Sequence, residues 1–127
     1  MAANPTKDNL KNAFHCHKKI SKMAFTISHK LLLFYAMECG LKCYYLKVNN
    51  LADAEIGNLR QSYGHDIKKL LRDCKIPNFN VNPPLEAGYP IKDFHEYMRY
   101  GVTIGNHVEI SQIAFFQSII NELENYI

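Results

Sequence analysis

The chain has 127 residues, 47% of them apolar and 21% charged, which suits one compact domain with its own core and excludes wholesale disorder. The net charge is only +3, but residues 1–50 carry eight lysines against Asp8 and Glu38, whereas residues 101–127 carry three glutamates and no base. A basic front and an acidic end favour an anionic partner or head-to-tail contact between copies, and a solvated lysine face is the plainer account of the front.

Thr6 or Asp8 can cap a first helix running to about Met23, with Leu10, Ala13, Phe14, His17 and Ile20 or Ser21 at helical spacing and five lysines opposite. A second helix, roughly Thr26 to Val48, is apolar on nearly every side in its first half, which marks the centre of a bundle. Asn49 and Asn50 end it. Leu51 to Leu59 reads as a helical turn or two, and "RQSYG" as a connecting loop. From His65 to Cys74, the set Ile67, Leu70, Leu71 and Cys74 predicts a third helix that Pro77 closes. Residues 77–90 hold four of the five prolines and read as a long surface loop. Pro90 then opens a short fourth helix, Ile91 to Tyr100, with Phe94, Tyr97 and Met98 inward and Gly101 as its stop. The last helix, about Val108 to Tyr126, carries Ile113, Phe116, Ile120, Leu123 and Ile127 along one stripe. Nothing alternates at period two, so the expected fold is a single all-α domain over 1–127: an up-and-down bundle of four to five helices, with the proline-rich loop before the fourth.

Cys16, Cys39, Cys43 and Cys74 form no CxxC pair and no secretory signal precedes them, so a reducing, cytoplasmic setting is expected. The apolar run from Leu31 meets Glu38 after seven residues, far short of the roughly 20 that a membrane span needs. "HCHK", His15 to Lys18, invites a metal reading with Cys39 and Cys43, but no flanking ligand pair completes four donors, and buried thiols with exposed imidazoles are the simpler account. No phosphate-binding glycine loop or nucleophile elbow is present, and no cofactor is implied.

The stretch "LLLFYAMECGLKCYYLK" is the most apolar in the chain, yet Glu38 and Lys42 lie in its middle. A buried carboxylate without a partner takes up a proton or destabilises the fold by several kcal/mol, so something must answer it. Lys42 stands at i+4 in the favourable order. "YGHDIKKLL" offers His65 and Asp66 beside Gly64, and "FHEYMRYG" offers Arg99 between Tyr97 and Tyr100. Glu38 is expected to be met by His65 or Arg99 in addition to Lys42. Tyr97 and Tyr100, beside a cation, are also candidates for stacking on bases.

The central E-x-x-x-K helix, then "GHD" opening an "IKKLL" helix, then an aromatic segment ending in "RYG", together resemble a HEPN domain over about Phe25 to Gly101. The nearest branch is similar to the C-terminal domain of kanamycin nucleotidyltransferase and the HEPN domain of sacsin. The resemblance implies a four- or five-helix bundle, usually dimeric, common in toxin–antitoxin and antiviral systems and often beside a nucleotidyltransferase-like partner. Many such proteins resemble metal-independent endoribonucleases whose signature is Arg, four to six residues, then His. Here "RQSYGH", Arg60 to His65, fits that spacing. A base for the RNA 2′-hydroxyl and a cation beside the phosphorane would be His65 and Arg60. The alternative makes His65 a structural cap on Glu38, leaves Arg60 exposed, and gives a module that dimerises and binds a nucleotide, RNA or a partner enzyme through a cationic pocket near Arg99 and Lys42.

Overall fold

The computed structural model describes residues 5–21, 26–77, 79 and 83–127. Among these the protein is all-helical: α1 (Lys7–Ser21), α2 (Ile27–Val48), α3 (Ile56–Tyr63), α4 (Ile67–Cys74), α5 (Phe94–Tyr100) and α6 (Asn106–Leu123), with 3-10 turns at Asp53–Glu55 and Ile91–Asp93. Met23, the expected end of the first helix, lies outside the described residues, as do Asn78 and residues 80–82 of the proline-rich segment.

The central helix is α2, and its composition explains why. Thr26 caps it by accepting from the His29 N–H. Ten of its residues from Leu33 to Leu46 are then buried, on every side of the helix. A helix without a polar face must be surrounded, and α1, α4, α5 and α6 all pack on α2. α1 runs antiparallel to it, since Cys43 meets the Lys7 carbonyl and Gly40 meets Phe14. α6 runs in the same sense as α2, with Lys30 on Glu109, Phe34 on Phe116 and Tyr44 on Tyr126. Phe34, Phe94 and Phe116, all fully buried, form the aromatic centre with centroids 4.8–6.0 Å apart. Burying each such side chain stabilises the fold by roughly 1.5–3 kcal/mol.

Gly40 sits where α1 and α6 close on α2. A Cβ there would stand 2.6 Å from Phe14 Cδ1 and 2.8 Å from Leu123 Cδ1, so only glycine lets the three helices meet at this spacing.

Among the described residues six helices stand where four to five were expected, because "RQSY" is the second half of α3 and not a loop. Ile56 and Leu59 face a smaller cluster with Leu10, Cys43 and Leu46, and Tyr63 packs against it one turn on. Gly64, at φ +54°, ends the helix by donating to the Arg60 carbonyl. Polar residues on three sides of so short a helix left little periodic signal in the sequence. Residues 83–90 are held to α6: the buried Gln112 amide donates to the Leu85 and Tyr89 carbonyls at 3.0 and 2.9 Å, and the Ser111 hydroxyl accepts from the Leu85 N–H. No helix among the described residues is long and apolar enough to cross a membrane.

Candidate functional site

Glu38, 7% exposed, is answered from two directions. Lys42 Nζ donates to Oε1 at 2.9 Å along α2, and His65 Nδ1 meets Oε2 at 2.9 Å from another part of the chain. Burial alone would raise the Glu38 carboxyl, but the His65 hydrogen bond and the Lys42 charge outweigh it and hold the carboxyl below its ordinary value. An ionised Glu38 only accepts, so His65 Nδ1 carries a hydrogen, and in the neutral form of the ring Nε2 holds the lone pair.

The "GHD" turn explains how His65 gets there. Gly64 supplies a backbone conformation that ordinary residues avoid, and the Asp66 N–H donates to the Tyr63 carbonyl at 2.8 Å. The Asp66 side chain then caps α4 by accepting from the Lys69 N–H at 3.3 Å. With the residues on both sides committed, the imidazole between them turns back onto α2. Its side chain remains 43% exposed, which leaves an edge in solvent.

A second imidazole completes the cluster. His95, 5% exposed on α5, lies against His65 with ring centroids 3.8 Å apart and a tilt of 36°, and stacks on Phe34 at 5.5 Å. Its Nδ1 has no hydrogen-bond partner among the described residues, and Nε2 is 3.9 Å from Glu96 Oε1. Burial and then the neighbouring His65 lower its pKa, against the pull of Glu38 and Glu96. The sequence reading missed His95, although a signal was there: it stands three residues before Met98 and beside Phe94, on the inward arc of its helix.

His65 and His95 border an open cleft of about 320 Å³ with Tyr63, Asp66, Lys92, Asp93 and Glu96. The other expected residues lie elsewhere. Arg60 is exposed on α3 and does not border this cleft. Arg99 does not answer Glu38: its Nη2 donates to the Tyr35 hydroxyl at 2.8 Å, because the last turn of α5 projects it over the outer edge of α2. With Lys42 turned to Glu38 and Arg99 to Tyr35, the two cations are committed to separate partners. Tyr97 packs edge-on against Tyr89 at 5.6 Å, and Tyr100 is 72% exposed beyond it. The expected set therefore divides into Glu38, Lys42 and His65, which converge, Asp66, which caps α4 and borders the cleft beside His65, and Arg60, Tyr97, Arg99 and Tyr100, which do not join them.

The helix that follows His65 is basic outside. Lys68, Lys69, Arg72 and Lys75 are all exposed on or just after α4, with Lys69 over the Tyr63 ring and its Nζ on the Ser62 carbonyl. Lys68 pairs with Glu86 and Arg72 with Asp73. The four cysteines are free thiols. Burial, and next the Glu38 charge, push the Cys39 thiol up to about 11, and burial first pushes Cys74 to about 12, so neither is a ready nucleophile. No group of three or more His, Cys, Asp or Glu among the described residues is placed to hold a metal ion. No protein-family model matches the chain, and neither a curated protein nor a solved structure matches it.

Proposed function

We propose that the protein is a HEPN-like domain that cleaves RNA without a metal, with His65 as general base and Glu38 as the group that orients it. The observation that carries this reading is a half-exposed imidazole that lines an open cleft and whose Nδ1 is held by a buried, ionised carboxylate. Such a pairing sets the tautomer and stabilises the imidazolium that forms when a proton is taken. Nε2 would accept the proton of a ribose 2′-hydroxyl as its oxygen bonds to the adjacent phosphorus. The bond from phosphorus to the 5′ oxygen then breaks, and that oxygen takes the proton back from the imidazolium. The products are a 2′,3′-cyclic phosphate and a 5′-hydroxyl. Charge on the phosphorane needs a cation. Lys92 borders the cleft, and Arg60 would serve if supplied across a homodimer by a second copy. The exposed lysines and Arg72 of α4 would guide the strand toward the turn that holds His65. Four free thiols agree with a reducing, cytoplasmic setting.

Purified protein mixed with RNA in EDTA should cut it, and His65→Ala should lower the rate by at least about 100-fold, the ordinary contribution of a general base. Arg60→Ala should lower the rate while leaving the fold intact. Equal cutting by wild type and His65→Ala removes this function.

One observation favours a second reading, a non-catalytic HEPN-like module that binds a nucleotide, RNA or a nucleotidyltransferase-like partner. Asp66, Asp93 and Glu96 all border the cleft and oppose a phosphate there. On this reading His65 serves only as a structural cap that hydrogen-bonds Glu38. The protein would cut no RNA, and would show a thermal shift with nucleotides or retain a partner enzyme in a pull-down.

A further inference from the structure

Lys30, Lys42, Lys68 and Arg72 each end on a carboxylate. Arg99 does not. Its Nη2 donates to the Tyr35 hydroxyl at 2.8 Å, and the Tyr35 and then the Tyr100 hydroxyl hold the guanidinium pKa above its ordinary value. No carboxylate pairs with it among the described residues, which include every Asp and Glu of the chain. Glu96 is the nearest acid in sequence, and its Oε1 stands 3.9 Å from His95 Nε2 instead. Nor does the helix end call for a cation, since the Gly101 and Val102 N–H groups both donate to the Tyr97 carbonyl. A guanidinium that is fixed, exposed and still carries its whole charge is prepared for an anion. The Tyr35 phenol accepts from Arg99 and keeps its own O–H to donate. Tyr100 adds an aromatic face that is 72% exposed.

The place of this cluster matters as much as its charge. On α5, Arg99 and Tyr100 stand one turn beyond His95 and Glu96, which border the cleft. On α2, Tyr35 stands one turn before Glu38. One turn is about 5 Å along a helix, so the guanidinium lies beside the cleft and not across the molecule from it. We infer that Arg99, Tyr35 and Tyr100 form a subsite for single-stranded RNA, with the guanidinium and the Tyr35 hydroxyl on a backbone phosphate and the Tyr100 ring against a neighbouring base. A single strand is required, because only an unpaired base can turn its face onto a side chain. The direction of the strand, from this subsite into the cleft, rests on the proposed function; the grip itself does not.

The probe is a fluorescein-labelled single-stranded RNA methylated at every 2′ oxygen, which the proposed chemistry cannot cut. Its binding is read by anisotropy over a range of salt concentrations. Arg99→Ala should weaken binding about tenfold and flatten the slope of log affinity against log salt by about 0.7, the mark of one phosphate contact on a single strand. Tyr100→Ala should weaken it at least about fivefold, the loss of one stacked base, with the slope unchanged, and Tyr100→Phe should keep most of the affinity. Lys47→Ala removes an exposed cation near the far end of α2 and should change little. No binding by wild type, no change in Arg99→Ala, or equal losses in Arg99→Ala and Lys47→Ala would overturn the inference. Unaltered affinity in Tyr100→Ala would overturn the assignment to RNA even where Arg99→Ala binds less. Binding of the methylated strand without cutting of ordinary RNA would instead remove the proposed function and leave the subsite standing.

Discussion

Glu38 and Gly40 are two residues apart on α2 and therefore point to opposite sides of it. The Gly40 side is closed by shape: Phe14 and Leu123 leave no room for a single added carbon. The Glu38 side is closed by charge, with Lys42 and His65 each 2.9 Å from the carboxylate and His95 behind them. Steric closure has no dependence on solution conditions, whereas charge closure lasts only while each group keeps its protonation state. One helix thus carries a permanent contact and a conditional one, and the conditional one borders the cleft.

The largest expected effect is on the charged side. Glu38→Ala should destabilise by about 2–4 kcal/mol in urea unfolding at pH 7, because it leaves Lys42, nearly buried, without its counter-charge. Glu38→Gln keeps the shape and should cost about 1–2 kcal/mol; a value near zero would mean that the pair behaves as an exposed one.

Gly40→Ala should cost about 1–3 kcal/mol through overpacking. It should do so by the same amount at pH 4 and pH 8, since no titrating group is involved. A strongly pH-dependent loss would show that the crossing and the charged site are coupled.

Acid should reveal two separate losses on the charged side. The His95 imidazole has a folded pKa below its ordinary value. The unfolded chain therefore binds its proton first, near pH 6.5, and stability present above that pH is lost as pH falls through the folded value. Glu38 has a lowered carboxyl pKa. Its contribution is complete above about pH 4.3 and disappears as pH falls through the lower folded value. Urea midpoints from pH 8 to pH 3 should show both declines, and His95→Phe should lack the upper one. A curve for His95→Phe parallel to wild type between pH 7 and pH 5 would assign that decline elsewhere, for instance to His17, which burial also lowers.

The smallest expected effect is that of Arg99→Ala, within about 0.5 kcal/mol, because its hydrogen bond to Tyr35 lies at the exposed surface. A larger loss would give the outer edge of α5 a structural role that its exposure does not suggest.

Much of the fold was legible because apolar spacing reports burial directly. Of the last-helix stripe, Ile113, Phe116, Ile120 and Leu123 are buried and Ile127 is half-buried; of the α4 set, Ile67, Leu70 and Cys74 are buried and Leu71 is half-buried; the apolar α2 is buried as read from Leu33 to Leu46. The ends were legible too, since Asn49 and Gly101 stop their helices as backbone chemistry requires. The site was half legible. A carboxylate in an apolar helix demands a partner, and that demand pointed to Lys42 and to either Arg99 or His65, with the guanidinium the stronger partner on chemistry alone. It could not choose between His65 and Arg99, because reach depends on which side of α2 each segment crosses.

Sequence by itself determined that the chain is helical, that α2 lies at its centre and that Glu38 had to be neutralised. These follow from the period of hydrophobicity and the instability of a lone buried charge, which are local facts. Tertiary structure alone decided that His65 is the long-range partner, that Arg60 and Arg99 stay on the surface, and that His95 backs His65. Helices that pack fix distances between residues far apart in the chain, and no local pattern records where those helices cross.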